Sequence, residues 1–196
     1  MHAFMDETKD SGLIVVAVVV DPSAIPTMRK DLNALRMKGQ RRIHFAKESP
    51  SRRRAIAAAL SAMPVAAVVF DARGVRDPRV ARERALACAV DRLAANSVRR
   101  LILEQDDSLV QSDRRVLFRA ARAAAYDLEY VHARPASEPL LWIPDAIAWS
   151  VARGGDWARR ISDLIDATVI VGDTRNPARQ PSGWLRGRCP RASARA

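Results

Sequence analysis

The chain opens with two short apolar segments joined by an acidic turn, and this arrangement predicts a β-hairpin. Residues 2–7 read as a first strand, which runs into the turn Asp6-Glu7-Thr8-Lys9-Asp10. Gly12 opens a second strand over Leu13–Val20, which is rich in β-branched residues. A link this short favours antiparallel pairing of the two strands.

Strands and helices alternate through the rest of the chain. Alternation of this kind implies parallel pairing with right-handed crossovers. We therefore predict an α/β domain over residues 1–172, with a mixed five-stranded sheet flanked by helices and a helical insertion, 23–62, after the second strand. Beyond the hairpin and the insertion, the expected elements are a strand over 64–70, a helix over 77–95, a strand over 99–104, a helix over 112–125, a strand over 128–132, a helix opened by Pro144, and an apolar stretch over 167–171. Residues 173–196 form a basic tail that we expect to lack fixed structure.

Charge favours a polyanionic partner. The net charge is +11 and nearly all of the positive residues are Arg, which suits nucleic acid, either RNA or DNA. An Arg- and Ala-rich chain is also what biased codon usage produces.

The longest apolar run, Leu13–Val20, is too short to span a bilayer and does not read as a secretory signal, so we expect a cytoplasmic protein without a membrane partner. The sequence leaves the oligomeric state open.

Several catalytic signatures are absent from the sequence. It contains neither common glycine-rich phosphate loop and no His-Glu-x-x-His pattern. No Ser or Cys is paired with a base, and Cys88 and Cys189 share no metal-ligand spacing. These absences argue against nucleotide-binding folds, zinc peptidases and acyl transfer.

Two acids end predicted strands. Asp6 ends the first strand and Glu104 ends the fourth. If these strands are parallel neighbours, both carboxylates lie at the edge where open α/β sheets place their ligands. The alternative interpretation of Asp6 is a solvated residue in a turn, without a partner. Glu104 follows a wholly apolar strand centre, a costly place for an unpaired charge.

Other acids and two histidines are further candidates. Glu7 points to the other face of the first strand. Glu83 falls in line with apolar residues of its helix and is either a metal ligand or, slightly favoured, a salt-bridge partner of an arginine. Asp145 lies in the first turn of a helix, where acids are common, but its neighbours are apolar. His44 and His132 could assist proton transfer or be structural.

Three short motifs carry a resemblance to a known family. They are Asp6-Glu7-Thr8 after a short strand, Ile43-His44-Phe45, and Pro144-Asp145-Ala146-Ile147-Ala148 in a late helix. In order and spacing they resemble the bacterial domain-of-unknown-function family 3800, placed in the ribonuclease-H-like superfamily, over most of residues 1–171. The resemblance implies a ribonuclease-H-like fold in which Asp6, Glu104 and Asp145 converge, with Glu7 and Glu83 as further ligands. Thr8 and Lys9 replace the Ser-Gly usual in the family, and Trp142 replaces a frequent Gln, which leaves the acids in place.

Two hypotheses of function follow. In the first, the protein is a nuclease in which Mg²⁺ or Mn²⁺ ions, two of them about 4 Å apart, are bridged by Asp6 and held by Glu104 and Asp145. His44 or His132 would then shuttle protons. The phosphate backbone would be bound by four arginines, Arg41, Arg42, Arg52 and Arg53. In the second, the protein is a non-catalytic nucleic-acid-binding or interaction protein whose acids are salt-bridged to arginines. The sequence leaves open whether the protein is an enzyme.

Overall fold

The computed structural model describes residues 1–172, and its centre is one mixed sheet. The strands are β1 His2–Thr8, β2 Ile14–Val20, β3 Ala66–Asp71, β4 Arg100–Glu104, β5 Glu129–Ala133 and β6 Ile165–Ile170. Their order across the sheet is β5-β4-β1-β2-β3-β6. The β1–β2 and β2–β3 pairs are antiparallel, whereas β1–β4, β4–β5 and β3–β6 are parallel. The predicted hairpin and the mixed α/β sheet are confirmed, but the sheet has six strands in place of five.

Helices cover both faces of this sheet. They are α1 Ile25–Ala34, α2 Pro50–Ser61, α3 Pro78–Ala95, α4 Val110–Ala123, α5 Trp142–Arg153 and α6 Gly155–Arg160. Because side chains alternate along a strand, each face has its own core. On one face, Phe4 and Val16 pack with α1, α2 and α5. On the other face, Met5 and Val15 pack with α3 and α4.

Local capping explains where α2 and α3 begin. Ser49 accepts a hydrogen bond from the Arg52 N–H and starts α2, as its sequence pattern predicts. Asp77 does the same for α3, accepting from two backbone N–H groups. Two predicted starts are wrong. Ser112 lies inside α4, where its hydroxyl donates to the Leu109 carbonyl at 2.8 Å, and α5 begins before Pro144.

The sixth strand is the main difference from the predicted architecture. Its sequence reads only as an apolar stretch, but Ile165–Ile170 forms β6 at the edge of the sheet, parallel to β3. Along it, half-buried residues alternate with exposed ones, as expected for an edge strand covered on one face.

The segment between β2 and β3 contains α1, α2 and a connection over 35–49. The tail 173–196, expected to be basic and flexible, lies outside the described residues. Among the helices of residues 1–172, none combines the length and the apolar character needed to cross a bilayer.

Candidate functional site

Asp6 and Glu104 lie side by side at one edge of the sheet. Strands β1 and β4 are parallel neighbours, with Met5 opposite Leu103, so the two acids that follow are at the same level. Side-chain alternation places both on the face covered by α5, the face of Phe4 and Ile102. The expectation that the first and fourth strands are parallel neighbours is therefore correct.

Asp145 reaches the same place from α5. This helix packs across β1 and β2, and its first turn carries the acid amid buried residues such as Ile143 and Ala146. The Asp145 carboxylate accepts a hydrogen bond from the Phe45 N–H at 2.9 Å. A cavity of about 310 Å³ is lined by Asp6, Glu104 and Asp145, together with His44. The three acids named from the sequence therefore border one cavity.

The acids perturb one another in this cavity. Burial raises the pKa of Asp6 well above its usual value, and a hydrogen bond to Glu104 and the charges of Glu104 and Asp145 raise it further. Burial also raises the pKa of Asp145, although the Phe45 N–H and His44 oppose the change. Arg42 pairs with one of these acids, its Nη1 lying 3.1 Å from Glu104 Oε1. The site thus favours binding of a proton or a cation.

His44 is held at the cavity by its neighbours in the chain. Ile43 and Phe45 are buried on either side of it, and the Phe45 ring meets Trp149 edge to face at 5.3 Å. The imidazole Nδ1 lies 3.8 Å from Asp145 Oδ2 and makes no hydrogen bond within the described chain. His44 is therefore close enough to the acids to exchange a proton with a group bound among them.

Glu7 and His132 belong to a different network, on the α3–α4 face. Glu7 borders the cavity, but its carboxylate is bound by Arg82 and by Lys9 at 3.0 Å. Arg82 is buried and donates two further hydrogen bonds to Asp113, at 2.7 and 2.8 Å. His132 Nε2 lies 3.3 Å from Asp113 Oδ2, and its side chain is 4% exposed. The structure therefore does not bring Glu7 or His132 into the set of acids around Asp6.

Glu83 is not part of the site, and its predicted position on α3 is wrong. It is exposed and pairs with Arg119 at 2.6 Å, as expected from the alternative in which Glu83 is a salt-bridge partner of an arginine. The buried stripe of α3 carries Arg82 one residue earlier. Sequence reasoning missed Arg82 and Asp113, because alanines on several faces of α3 hide its buried side.

The four predicted phosphate-binding arginines behave differently from one another. Arg52 donates to the Leu35 carbonyl at 2.6 Å, and Arg53 donates to the carbonyls of Phe45 and Ala46 at 2.9 and 2.6 Å. These two guanidinium groups brace the connection that carries His44. Arg42 pairs with Glu104, and Arg41 is exposed.

Asp6, Glu104 and Asp145 interact with one another, but their side chains are not arranged as ligands around a metal ion within residues 1–172. Within residues 1–172, no three His, Cys, Asp or Glu side chains are placed together so that they could hold a metal ion. Binding an ion among Asp6, Glu104 and Asp145 would require their side chains to turn toward one another and Arg42 to release Glu104.

The strand order and the flanking helices define a ribonuclease-H-like fold. A solved chain in the complex of PCNA with RNase HII from Archaeoglobus fulgidus is similar to this chain with a TM-score of 0.51 and 14% sequence identity, over 84% of this chain and 73% of that chain. No family model and no curated protein matches. At this identity the likeness shows the fold alone, so membership of the domain-of-unknown-function family 3800 stays a prediction.

Proposed function

We propose that this protein is a divalent-metal-dependent nuclease that hydrolyses phosphodiester bonds of RNA or DNA. The observation that carries the proposal is the placement of Asp6, Glu104 and Asp145, from three separate elements, around one cavity. Burial and neighbouring negative charge raise the pKa of Asp6 there. A bound cation would therefore stabilise the ionised carboxylates. A ribonuclease-H-like fold is compatible with this activity but does not by itself assign it.

The donor set fits Mg²⁺ or Mn²⁺. All three acids offer carboxylate oxygens, the ligands that these hard cations prefer. Asp6 is the central ligand in our proposal, with Glu104 and Asp145 on either side. The bound cation would supply charge neutralisation and an activated water for attack on the phosphodiester.

His44 and Arg42 would act on the substrate side of the site. His44 borders the cavity and its imidazole lies beside Asp145, so in our proposal it takes a proton from the attacking water or gives one to the leaving oxygen. Arg42, once released from Glu104, could donate to a phosphate oxygen, and exposed Arg41 lies beside it in the chain.

A cleavage assay tests this function. Wild type, Asp6→Asn and Asp145→Asn are compared on single- and double-stranded RNA and DNA with Mn²⁺ or Mg²⁺. We expect metal-dependent cleavage that falls by about 100-fold or more in both variants, since loss of even a residue that only hydrogen-bonds to a metal ligand costs about 10–100-fold. Asparagine preserves the size of each side chain and the oxygens that accept from the Glu7 and Phe45 N–H groups.

The matched control is Asp156→Asn on α6. Asp156 is an exposed acid that pairs with Arg160 and does not line the cavity. Its variant should cleave like wild type. Cleavage that survives Asp6→Asn would remove Asp6 from the mechanism.

A non-catalytic nucleic-acid-binding protein is the second candidate. The ion pair between Arg42 and Glu104 favours it, because it already neutralises part of the acidic cluster. In this case no substrate is cut with either metal, and nucleic-acid binding is the same in wild type and Asp6→Asn.

A further inference from the structure

A second and larger cavity lies on the opposite layer of the molecule, between α3 and α4. Its volume is about 920 Å³, and its floor contains apolar residues such as Leu13, Leu86 and Val116. Phe118 lines the cavity at its rim and is 56% exposed, so its aromatic ring is accessible to a partner. We call this cavity the α3–α4 groove.

The rim of the α3–α4 groove is positively charged. Arg76, Arg79 and Arg115 are exposed at the rim and form no salt bridge with any residue in 1–172, although the charge of Arg79 contributes to lowering the pKa of nearby Asp77. The two acids that line the groove are already neutralised, Glu83 by Arg119 and Asp113 by Arg82. The groove therefore presents uncompensated positive charge beside an apolar floor, which suits an anionic partner with flat apolar groups.

The groove adjoins the carboxylate cavity. Lys9, Arg82 and Leu86 line both spaces, and the surface that they share lies at Lys9, the exposed residue of the three, just beyond the end of β1. The tail of this chain is a poor occupant, because it carries six arginines and one acid. A partner that follows this surface would reach the proposed site of cleavage.

We propose that the α3–α4 groove binds a single strand of nucleic acid and guides it to the carboxylate cavity. Grooves of this kind combine cations that track the phosphates with an aromatic ring on which a base stacks. Phe118 is the stacking platform, and Arg76, Arg79 and Arg115 contact the phosphates. The inference rests on the proposed nuclease function, for which it names single-stranded substrate.

Binding can be measured apart from cleavage. The full chain with Asp6→Asn, in EDTA, is titrated into fluorescein-labelled 15-mers of oligo-U and oligo-dT and into a duplex of equal length, and fluorescence anisotropy gives the affinity. We expect the single strands to bind more tightly than the duplex. Phe118→Ala should weaken single-strand binding by roughly tenfold, the size of one stacking contact, whereas Phe118→Tyr should retain it.

Charge reversal tests the phosphate contacts. The double variant Arg79→Glu and Arg115→Glu should weaken single-strand binding and reduce its salt dependence by a slope of about 1.4, since each contact on a single strand contributes about 0.7. Arg54→Glu, an exposed arginine on α2 on the other face of the sheet, is the matched control and should bind like the parent.

The outcomes separate the two proposals. If the groove variants bind single strands as tightly as Arg54→Glu does, the groove is not the path, even when wild type cleaves. If wild type never cleaves but the groove variants lose single-strand binding, the nuclease proposal fails and the groove remains a binding site. If a labelled Glu- and Leu-rich 15-residue peptide binds through Phe118 and the oligonucleotides do not, the groove docks protein and the inference is overturned.

Discussion

At the scale of single residues, the raised pKa of Asp6 has a consequence for stability. Burial and then Glu104 and Asp145 raise this pKa in the folded protein above its value in the unfolded chain. A raised carboxyl pKa contributes stability below the unfolded pKa, and this contribution is lost as pH rises through the folded pKa. At neutral pH, repulsion among these acids therefore lowers the free energy of unfolding of the metal-free protein.

Asp6→Asn should consequently stabilise the metal-free protein. We expect the free energy of unfolding at pH 7.5 in EDTA to rise by about 0.5–2 kcal/mol, the usual gain when a strained functional group is replaced. The gain should shrink toward pH 4, where Asp6 in wild type is already protonated. Urea denaturation at several pH values measures both effects.

Asp156→Asn is the control for this experiment. Hydrogen bonding to Arg160 lowers the pKa of Asp156, whereas the pKa of Asp6 is raised. Ionised Asp156 therefore does not destabilise the fold, and Asp156→Asn should bring no stabilisation at pH 7.5. A loss of stability in Asp6→Asn that is independent of pH would contradict the proposed repulsion.

Asp6 and Glu104 can be singled out from the sequence because each follows an apolar strand, and Asp145 because its neighbours are apolar and the family resemblance includes it. The sequence misplaces Glu83 for a physical reason. The helical phase of α3 is hidden by alanines, which pack well on any face, and an error of one residue exchanges exposed Glu83 for buried Arg82. Partners distant in sequence, such as Asp113 for Arg82, appear only when the chain is folded.

At the scale of elements, Arg82 joins α3 to α4 and to the end of β1. It binds Asp113 on α4 and Glu7 on β1, and all three side chains are largely buried. Arg82→Met should lower the free energy of unfolding by roughly 3–5 kcal/mol, because it leaves the buried Asp113 carboxylate without its arginine and leaves Glu7 paired with Lys9 alone. Chemical denaturation at pH 7.5 gives the change.

Arg119→Met provides the comparison on the same face. Arg119 pairs with Glu83 at the surface, so its removal should cost about 1 kcal/mol or less. Equal effects of the two substitutions would show that the Arg82 network is not a structural link between α3, α4 and β1.

The elements themselves were largely predictable. Polar caps such as Ser49 and Asp77 start helices by satisfying free N–H groups, and a β-branched run forms β2. Strand β6 was not predictable, because its six residues form a strand only by pairing with β3, which is far away in sequence. The early start of α5 depends likewise on packing of Trp142 in the core.

At the scale of the whole molecule, the sheet divides the protein into two layers, and each layer borders its own cavity. The α5 layer carries the acids and His44, and the opposite layer carries the α3–α4 groove. The chain order of strands and helices predicted the α/β class and the edge where the acids meet. It could not predict the groove, whose walls come from helices that meet only in the folded chain.

The central claim is that Asp6, Glu104 and Asp145 bind a divalent cation, and titration calorimetry of Mn²⁺ into the metal-free protein tests it most directly. We expect saturable binding by wild type that tightens as pH rises from 5 to 8, because the carboxylates must lose protons to become ligands. Asp6→Asn should lose this binding while Asp156→Asn keeps it. Binding that is equally strong in Asp6→Asn, or absent from wild type at pH 8, would contradict the claim.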